Sequence, residues 1–470
     1  CGCSACFNSC PVDAISMKEN SEGFLYPVVN QDKCVKCGKC IDACQIGKFD
    51  KVVENGKRLY FAARQKDKLE LASSSSGGVI SLIAKNILQK GGYVCAATYE
   101  NGKLFHKIID NYNDFIPMKG SKYFQSDLAD IFKTLKNLLN DNKPIVFIGT
   151  PCQVSGLKMY LRKDYEHLLL IDIICQFLQE NHLENIAKNA TLLTMRSKKI
   201  GWHQYCLNLT NNHQSYYKKL LNISFGKAFA YALCLRNSCH TCPYSNTKRV
   251  GDIMVGDYWG IDRLGRNLDD NLGWGLISFN AKGENVFNKI KTELEFIKST
   301  EYLSVQPNLL YPTRKHPNRE RFFKQIEADS LENTTNRLLN KENNIGILNF
   351  HWENNNYGAI LTAYALNKYL NDLGYNAYNI QYLPTISACS KPLADFEEFR
   401  LKYIPQTYKC TYPEDFEFLN NCFGTYVVGS DQVFRWSFVR NENDVYYLKF
   451  ASADSKKIAY SASFGISRFE

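Results

Sequence analysis

Two runs of cysteines near the start of this chain constrain its fold more than any other feature. The first run holds Cys3, Cys6 and Cys10, and the second holds Cys34, Cys37, Cys40 and Cys44. The second run reads C-x2-C-x2-C-x3-C, a spacing in which successive thiolates bind the corners of one [4Fe–4S] cluster and the fourth thiolate reaches a neighbouring cluster. The first run has the same spacing and ends in Cys-Pro. Together the runs predict an electron-transfer module with two clusters.

The exchange of fourth ligands divides the cysteines between the two clusters. We expect one cluster to be bound by Cys3, Cys6, Cys44 and a residue preceding Cys1, because the first run lacks its first member. The other cluster would be bound by Cys10, Cys34, Cys37 and Cys40. Cys1 would substitute poorly for the missing ligand, since it is two residues from Cys3 rather than three. The spacing therefore predicts a sequence that is incomplete at its N-terminus.

Zinc and disulfide bonds are the alternative uses of such cysteines. Zinc sites usually combine two C-x2-C pairs, and a disulfide framework does not explain a repeated spacing followed by proline. The pattern resembles the bacterial two-cluster ferredoxin domain, which we assign to residues 1–56. That resemblance implies an α+β ferredoxin-like fold. Gln45 stands where the pattern often has proline, but this position is not a ligand.

The length and composition place the remainder among globular proteins. At 470 residues the chain is long enough for about three domains, and its 45% hydrophobic and 22% charged residues are those of folded protein. No apolar run approaches the ~20 residues of a transmembrane helix. The 18 cysteines favour a reducing cytoplasm. The net charge of +10 could favour an acidic redox partner, such as a ferredoxin, or an anionic substrate. Because the lysines are scattered, we expect a solvated surface and no nucleic-acid binding.

An α/β pattern begins near residue 57. Four serines and two glycines at 73–78 precede an apolar helix that starts at Val79, and GTPCQ at 149–153 joins a strand at 145–148 to a second helix. Such loops are typical of the carboxyl edge of an open α/β sheet, where ligands usually bind. Free N–H groups there could hold a cofactor phosphate. A serine cap without a ligand is the alternative for the first loop.

Five motifs in this region resemble the coenzyme F-420 hydrogenase/dehydrogenase beta-subunit family. They are SSGGV at 75–79, GSKY at 120–123, GTPCQ at 149–153, LRNSCHTC at 235–242 and GDYWG at 256–260. The resemblance covers roughly residues 60–325, and we assign the domain to residues 57–325. It implies an iron–sulfur flavoprotein that passes electrons between clusters and FAD, which exchanges a hydride with a deazaflavin or an organic substrate.

The resemblance also supplies candidate flavin-binding residues. They are Ser75, Ser76, Gly77, Gly78, Lys122, Gly149, Thr150, Pro151, Cys152, Gln153 and Asp257. Lys122 is a candidate cation for phosphates or for an anionic substrate, although it could equally be a surface lysine. Asp257 could orient a cofactor group or cap a turn. Family members often have histidine after the position of Cys175, where this chain has Gln176, so a proton-transfer role there is doubtful. No catalytic residue can be named.

A third metal site is a further possibility. Cys239 and Cys242 form a C-x2-C pair, and Cys152 and Cys175 each follow a predicted strand. Four thiols that meet at one sheet edge could bind a third [4Fe–4S] cluster. The alternative is that they are buried as small apolar side chains.

A second α/β segment follows a polar stretch at 326–344, which we interpret as a linker. The strand at 345–349, the helix beginning near Tyr357, VVGSDQV at 427–433 and YSASFG at 460–465 resemble the polysaccharide pyruvyl transferase family. This implies pyruvyl transfer from phosphoenolpyruvate to a sugar by a glycosyltransferase-like, Rossmann-type fold, of which residues 345–470 would be the first lobe only. Gly358, Ala359, Ser430 and Asp431 could contact phosphate or sugar, or could belong to ordinary turns.

Two functions therefore compete. The first is an iron–sulfur flavoprotein oxidoreductase acting on a small molecule or sugar, linked to the synthesis of a cell-surface polysaccharide. The second is a glycan pyruvyl transferase in which the redox half is accessory. The first is better supported, because both electron-transfer modules are nearly complete whereas the transferase is cut short.

Overall fold

A computed structural model describes most of the chain. The described residues are 2–54, 56–100, 102–175, 192–211, 214–351, 356–382, 394–410, 413–429, 431–435 and 443–466. The chain divides into two compact units. Unit 1 comprises Cys1–Gly226 and Leu235–Thr313, and unit 2 comprises Lys227–Cys234 and Arg314–Glu470.

The N-terminal cysteine runs lie in a small α+β module of unit 1. Its elements are α1 (Ala5–Ser9), β1 (Ile15–Glu19), β2 (Leu25–Val29) and α2 (Lys39–Asp42). The two strands form an antiparallel hairpin in which Ile15 pairs with Val29, and the two helices pack against each other. Gly38 begins α2 with φ 74°, in the left-handed region where glycine is favoured. This turn lets the cysteines on either side of Gly38 follow a tight loop.

An eight-stranded mixed sheet forms the centre of unit 1. Its strands are β3 (Leu59–Gln65), β4 (Tyr93–Glu100), β5 (Lys103–Ile109), β6 (Ile145–Gly149), β7 (Leu168–Ile173), β11 (Ile253–Asp257), β12 (Gly275–Phe279) and β13 (Leu294–Ser299). The spatial order is β13-β3-β12-β11-β7-β6-β4-β5. Strands β11, β7, β6 and β4 are parallel, whereas β12, β13 and β5 pair antiparallel to their neighbours. The predicted α/β fold is thus present, with a mixed sheet.

Helices cover both faces of this sheet. They are α3 (Lys68–Ser73), α4 (Val79–Leu88), α5 (Ile131–Asn140), α6 (Pro151–Leu161) and α8 (Ala281–Ile290). Two further short helices are α7 (Ser224–Ala230), which contains the boundary between the two units in the sequence, and α9 (Glu301–Ser304). The buried strand residues alternate between two cores. Val146 and Ile171 pack with α4 on one face, while Phe147 and Leu170 pack with α5 and α6 on the other. Cys3 and Ala5 belong to the second core, so the cysteine module lies on the α5–α6 face.

Short elements complete unit 1 and its boundary. A small antiparallel sheet has the order β10-β9-β8, with β8 (Leu192–Thr194), β9 (Cys206–Asn211) and β10 (Gln214–Lys219). In the described parts of both units the 3-10 turns are Phe49–Lys51, Asn113–Met118, Leu220–Asn222, Asn237–Thr241, Ile261–Arg263, Lys291–Glu293, Pro307–Leu309 and Lys341–Asn343.

Unit 2 contains a parallel five-stranded sheet. Its strands are β14 (Asn344–Leu348), β15 (Asn376–Tyr382), β16 (Gln406–Cys410), β17 (Thr425–Gly429) and β18 (Lys456–Tyr460). The order β16-β15-β14-β17-β18 places the first strand in the middle and reverses direction beside it, as in doubly wound α/β folds. The helices are α10 (Arg319–Gln325), α11 (Leu331–Leu339), α12 (Tyr357–Asp372), α13 (Ala394–Tyr403), α14 (Pro413–Leu419) and α15 (Asn443–Tyr446).

The stretch predicted to be a linker differs from that expectation. Residues 331–339 form helix α11, whose first turn is capped by the Ser330 side chain, and Thr334, Thr335 and Leu338 are buried. A helix with a capped start and a buried face is part of a folded unit rather than a solvated connection. The polar composition of 326–344 concealed this, because threonine and asparagine lowered the apolar signal.

His106 makes unit 1 sensitive to acid. It is buried, stacks on Phe147 at 5.5 Å between ring centroids, and its Nε2 lies 3.1 Å from the Ile148 carbonyl oxygen. Burial lowers its pKa from 6.5 to about 4. The unfolded chain therefore binds a proton before the folded chain does, so stability should fall as the pH drops from 6.5 towards 4, by roughly 3 kcal/mol for this group alone.

Replacement of this histidine tests the assignment. The variant His106→Phe should show a flatter dependence of the urea unfolding midpoint on pH between 6.5 and 4, while an exposed control, His203→Gln, should keep the slope of the unmodified protein. Equal slopes for all three proteins would contradict the role of His106.

Candidate iron–sulfur and cofactor site

Three cysteines of the N-terminal module lie close together. Burial raises the pKa of the Cys6 thiol to about 11, and the neighbouring Cys3 and Cys44 thiols add to this rise. These are the three residues predicted to share one cluster. Cys10 follows α1 directly, and its Sγ accepts a hydrogen bond from the Ala14 N–H at 3.2 Å. The contact of α1 with α2 brings Cys10 towards the loop that carries Cys34, Cys37 and Cys40.

The cysteines suit clusters better than a single ion. No disulfide bond joins the cysteines in the described part of the chain. Within those same residues, no three Cys, His, Asp or Glu side chains converge on a point that one metal ion could occupy. A cubane cluster has a different requirement, because each thiolate binds a different iron at its own corner. A set of free thiols in ferredoxin spacing therefore fits [4Fe–4S] clusters by its donor chemistry.

Cys3 lies directly against helix α6. It is 6% exposed, and a Cβ added to Gly156 would stand 2.8 Å from the Cys3 Sγ. The absence of a side chain at Gly156 therefore makes room for a cluster ligand. Gln45, one residue after Cys44, donates from Nε2 to the Cys152 carbonyl oxygen at 2.6 Å. Both contacts join the cysteine module to the start of α6.

A methyl group at position 156 should disturb the adjacent cluster. In Gly156→Ala, the Cys3 side chain must move, because real Cβ atoms essentially never approach other atoms so closely. We expect the electron paramagnetic resonance signal of the cluster at Cys3, Cys6 and Cys44 to change or disappear. The signal of the second N-terminal cluster should be unaffected. The matched control is Gly56→Ala, where a Cβ meets nothing within 4 Å. Identical spectra for the two variants would show that Gly156 does not position this ligand.

A second group of thiols lies at the edge of the central sheet. The pKa of Cys175 is raised well above its usual value by burial and then by the nearby Cys152, Cys239 and Cys242 thiols. The pKa of Cys152 is raised to about 11 by burial, with smaller contributions from Cys242 and Cys3. The structure thus brings together the four residues of the possible third site. Cys152 is near both this group and Cys3 of the N-terminal module.

A buried ion pair supports this second thiol group. Asp172, in β7 three residues before Cys175, is 0% exposed on its side chain, and its partner Arg249 is 2% exposed. The Arg249 Nη2 donates to Asp172 Oδ1 at 3.0 Å, and Asp172 Oδ2 accepts from the backbone N–H groups of Val250 and Gly251. The pair fastens the chain that follows Cys242 to the strand that precedes Cys175. The sequence signal for a buried partner of opposite charge was Asp172 itself, a charged residue inside an otherwise apolar strand.

The serine–glycine loop is held against the backbone of the same sheet. Ser76 Oγ donates to the Trp274 carbonyl oxygen at 2.7 Å, and Ser75 Oγ accepts from the Ser121 N–H at 2.8 Å. Gly77 packs so closely on Ala63 and on the start of β12 that no Cβ fits. Gly78 begins α4 with φ 75° and no side-chain cap. The helix is as predicted, but the serine-cap alternative is wrong, because the serine hydroxyls bind elsewhere.

Two lysines flank this loop with different partners. The Lys122 Nζ donates to the carbonyl oxygens of Met118, Lys119 and Gly120 at 2.8, 3.1 and 3.2 Å. Its three donors are therefore used by backbone. The Lys198 Nζ donates to the carbonyl oxygens of Leu71 and Ser76. Burial lowers the pKa of both lysines to about 7. No sequence motif predicts a role for Lys198, because its contact with Ser76 joins residues that are 122 positions apart.

Asp257 lies at the end of β11 in a charged and aromatic cluster. Arg196 donates to both carboxylate oxygens, at 2.7 and 3.2 Å, and the Trp202 Nε1 donates to Oδ1 at 3.1 Å. Trp202 stacks on Trp259 with 4.7 Å between ring centroids. The Arg196 guanidinium lies 5.1 Å from the Trp259 ring centroid. Asp257 is thus a member of a fixed network rather than a turn cap.

The strand order places these groups along one edge of the sheet. Asp257 pairs with Gly275 across β11 and β12, and Gly275 pairs with Ala63 of β3, beside the serine–glycine loop. Cys175 follows β7 and Cys152 follows β6, the next two strands. At ~4.8 Å between strands, the loop lies about 19 Å from the end of β6. The edge therefore carries, in order, the serine–glycine loop, Asp257, Cys175 and Cys152.

The GTPCQ turn has a structural role of its own. The Thr150 N–H donates to Gln153 Oε1 at 3.0 Å, and the Gln153 Nε2 donates to Ser126 Oγ at 2.9 Å. Pro151 occupies the first position of α6, where its missing N–H costs nothing. Gly149 ends β6. These contacts orient the turn that presents Cys152.

Unit 2 has a candidate cleft at the carboxyl ends of β17 and β18. It has a volume of about 530 Å³ and is lined by Thr362, Ala365, Leu366, Tyr369, Asp431, Gln432, Tyr460, Ser461 and Ser463. The Gly358 N–H is used by the Asn356 side chain, at 2.9 Å, and Ala359 is buried. Ser430 and Gln176 lie outside the described residues.

Three family models match successive segments of this chain. The 4Fe-4S dicluster domain matches residues 1–48, the C terminus of the coenzyme F420 hydrogenase/dehydrogenase beta subunit matches residues 142–301, and polysaccharide pyruvyl transferase matches residues 356–469. The fusion predicted from the sequence is thereby confirmed. The first two matches support an iron–sulfur redox role for the chain. Among the described residues, no helix has both the length and the apolar character to cross a membrane.

Individual proteins resemble only part of this chain. It is 26% identical over 196 residues to an uncharacterized protein, MJ1349, of Methanocaldococcus jannaschii; the match covers 36% of this chain and 54% of that protein. The chain thus spans about half the length of this curated relative. A xenon-derivatized structure of the F420-reducing [NiFe] hydrogenase complex from Methanosarcina barkeri contains a chain with 14% identity and a TM-score of 0.36, covering 62% of this chain and 94% of its own length.

Proposed function

We propose that this chain is an iron–sulfur flavoprotein oxidoreductase that passes electrons between [4Fe–4S] clusters and FAD, with hydride exchange to a deazaflavin or an organic substrate. The observation that supports it best is Cys152, which lies near Cys3 on one side and near Cys175 and Cys242 on the other. Clusters supply single electrons and a flavin stores two, so that together they allow hydride chemistry. The following residues would position these groups.

The cysteines would hold three clusters in a row from the N-terminal module to the sheet edge. Cys10, Cys34, Cys37 and Cys40 would bind the first, Cys3, Cys6 and Cys44 the second, and Cys152, Cys175, Cys239 and Cys242 the third. Gln45 and Tyr244 would keep the last two at a fixed separation. Gln45 bonds to the Cys152 carbonyl oxygen, and the Tyr244 hydroxyl bonds to Gln45 and to Ser155.

The serine–glycine loop would bind the flavin phosphates or ring. The uncapped N–H groups at the start of α4 favour an anion, and Lys198 fixes the loop through the Ser76 carbonyl oxygen. Asp257 and its aromatic neighbours lie between the loop and Cys175, where they would limit water. Lys122 would act by fixing the 118–120 turn, because its donors are already used.

Flavin binding and reduction test the proposal. Anaerobically purified protein should contain a flavin that is bleached when a reduced ferredoxin is added in stoichiometric amounts. The double variant Ser75→Ala/Ser76→Ala should lose flavin and keep iron, whereas Ser73→Ala, in which the hydroxyl bonds to the Glu70 carbonyl oxygen of α3 and to the Lys119 side chain, should retain both. Protein that holds iron but no flavin would overturn the hydride mechanism.

A second candidate is pyruvyl transfer by unit 2, favoured by its family match and by the cleft beside β17 and β18. We infer that the redox and transferase activities act on related sugars in synthesis of a cell-surface polysaccharide. Pyruvylation of a glycan by the full-length protein with phosphoenolpyruvate would support the transferase. If deletion of the residues after 344 left every phenotype in the cell unchanged, the link between the two would be wrong.

A further inference from the structure

The two cysteine runs differ in the charge that surrounds them. In the second run a lysine stands immediately before each of three cysteines: Lys33 before Cys34, Lys36 before Cys37 and Lys39 before Cys40. The first run carries no charged residue from position 1 to position 12. The same spacing of ligands is thus embedded in a basic loop in one case and in a neutral segment in the other.

The runs also differ in their exposure. Cys3 is buried against Gly156 of α6, whereas Cys37 is exposed. Lys33, Lys36 and Lys39 are all exposed, and none of them forms an ion pair within the part of the chain that the structure describes. The neutral run therefore faces the interior of unit 1, and the basic run faces solvent.

Apolar side chains lie among these lysines. Val35 is 61% exposed and Ile41 is 70% exposed. We name the surface formed by Lys33, Val35, Lys36, Lys39 and Ile41 the lysine face. Between residues 31 and 51 there are five lysines and three aspartates. Asp42 forms an ion pair with Arg162, at 3.7 Å between Oδ2 and Nη2. Its charge is therefore compensated outside the lysine face, which keeps a net positive charge.

We propose that the lysine face is the docking surface for an acidic one-electron carrier protein. The proposal rests on the cluster assignment made above and adds the place and charge of the partner. Opposite charges steer encounter and orient the partner, while exposed apolar groups contribute contact area. Cys10, Cys34, Cys37 and Cys40 would hold the cluster that accepts one electron from the reduced carrier, so that the carrier would become oxidised and the cluster reduced. No bond forms or breaks.

A charge-reversal pair tests the proposal by binding alone. The test variant is Lys33→Glu/Lys36→Glu/Lys39→Glu, and the control is Lys289→Glu/Lys291→Glu/Lys298→Glu, on exposed lysines of α8, the turn that follows it and β13. Both change the formal charge equally. Calorimetric titration of an oxidised acidic [2Fe–2S] ferredoxin should give a Kd at low ionic strength that is roughly tenfold or more higher for the test variant, with less than a twofold change for the control. At high salt the difference should disappear.

Other outcomes would overturn the proposal. Equal weakening by both triple variants would assign the effect to net charge, and a Kd that is unaffected by the test variant would place the carrier elsewhere. If the unmodified protein dimerises in sedimentation and the test variant does not, the lysine face binds a second copy of the chain.

The iron content of each variant is measured in parallel. If the glutamates cause loss of iron, the test variant becomes Lys33→Gln/Lys36→Gln/Lys39→Gln. This variant should raise the Kd by a smaller factor. A Kd that is unchanged in it would also overturn the proposal. Unmodified protein without iron would instead contradict the cluster assignment.

Discussion

Replacement of Cys239 and Cys242 with serine should remove about four iron atoms per chain. Cys239 lies in a 3-10 turn (Asn237–Thr241) and Cys242 directly follows it, and both thiols are near Cys175. Hydroxyl groups are weaker ligands for iron than thiolates, so the third cluster should be lost. The N-terminal clusters should remain, because their ligands lie in another module. Iron and acid-labile sulfide analysis, together with the spectrum of the reduced protein, measures the change.

Another buried cysteine of the same unit provides the matched control. Cys206 is buried in β9, where its thiol contacts the backbone of Leu207 and Lys218, so Cys206→Ser should leave the iron content unchanged. If Cys239→Ser/Cys242→Ser holds as much iron as the unmodified protein, the four thiols at the sheet edge are small buried side chains and no third cluster exists. If both variants lose iron equally, the effect is a general loss of stability.

Replacement of Arg249 with methionine should destabilise unit 1 by about 3–5 kcal/mol. The substitution leaves the buried Asp172 carboxyl group without its ion-pair partner, although its two backbone hydrogen bonds remain. Urea unfolding, followed by tryptophan fluorescence, measures the shift of the midpoint. The third cluster should also become labile, because the chain after Cys242 loses its attachment to β7.

Two controls separate the buried pair from a general effect of lost arginine. Arg162→Met removes an exposed partner of Asp42 and should cost less than about 1 kcal/mol. Arg249→Met/Asp172→Leu removes both charges and should recover most of the loss. A double variant that is no more stable than Arg249→Met would show that packing around the guanidinium, rather than the unpaired carboxylate, governs the effect.

Features that depend on local spacing were predictable from the sequence. Examples are the cysteine runs, the helix after the serine–glycine loop and the strand before GTPCQ. Each of them is specified by residues that are close together in the sequence. For unit 2 the sequence predicted an α/β segment, and the resemblance to the pyruvyl transferase family implied a Rossmann-type lobe. In these cases the chemistry and the geometry reside in the same short segment.

Features that depend on distant contacts were not predictable. Nothing near Asp257 indicates Arg196, its partner 61 residues away, and nothing near Ser76 indicates Lys198, its partner 122 residues away. Gln45 was judged unimportant because it is not a ligand, yet it contacts the segment that presents Cys152. The helix at 331–339, within the stretch interpreted as a linker, was not predicted because it buries threonines, which periodicity does not count as apolar.

The most direct test is the content of iron, acid-labile sulfide and flavin per chain in anaerobically purified protein. The account predicts about one flavin and about twelve irons, with an equal amount of sulfide. About eight irons with one flavin would retain the two-cluster flavoprotein and remove the third site. Iron without flavin would contradict the central claim, because electrons that enter through the clusters would then have no two-electron group on which hydride chemistry depends.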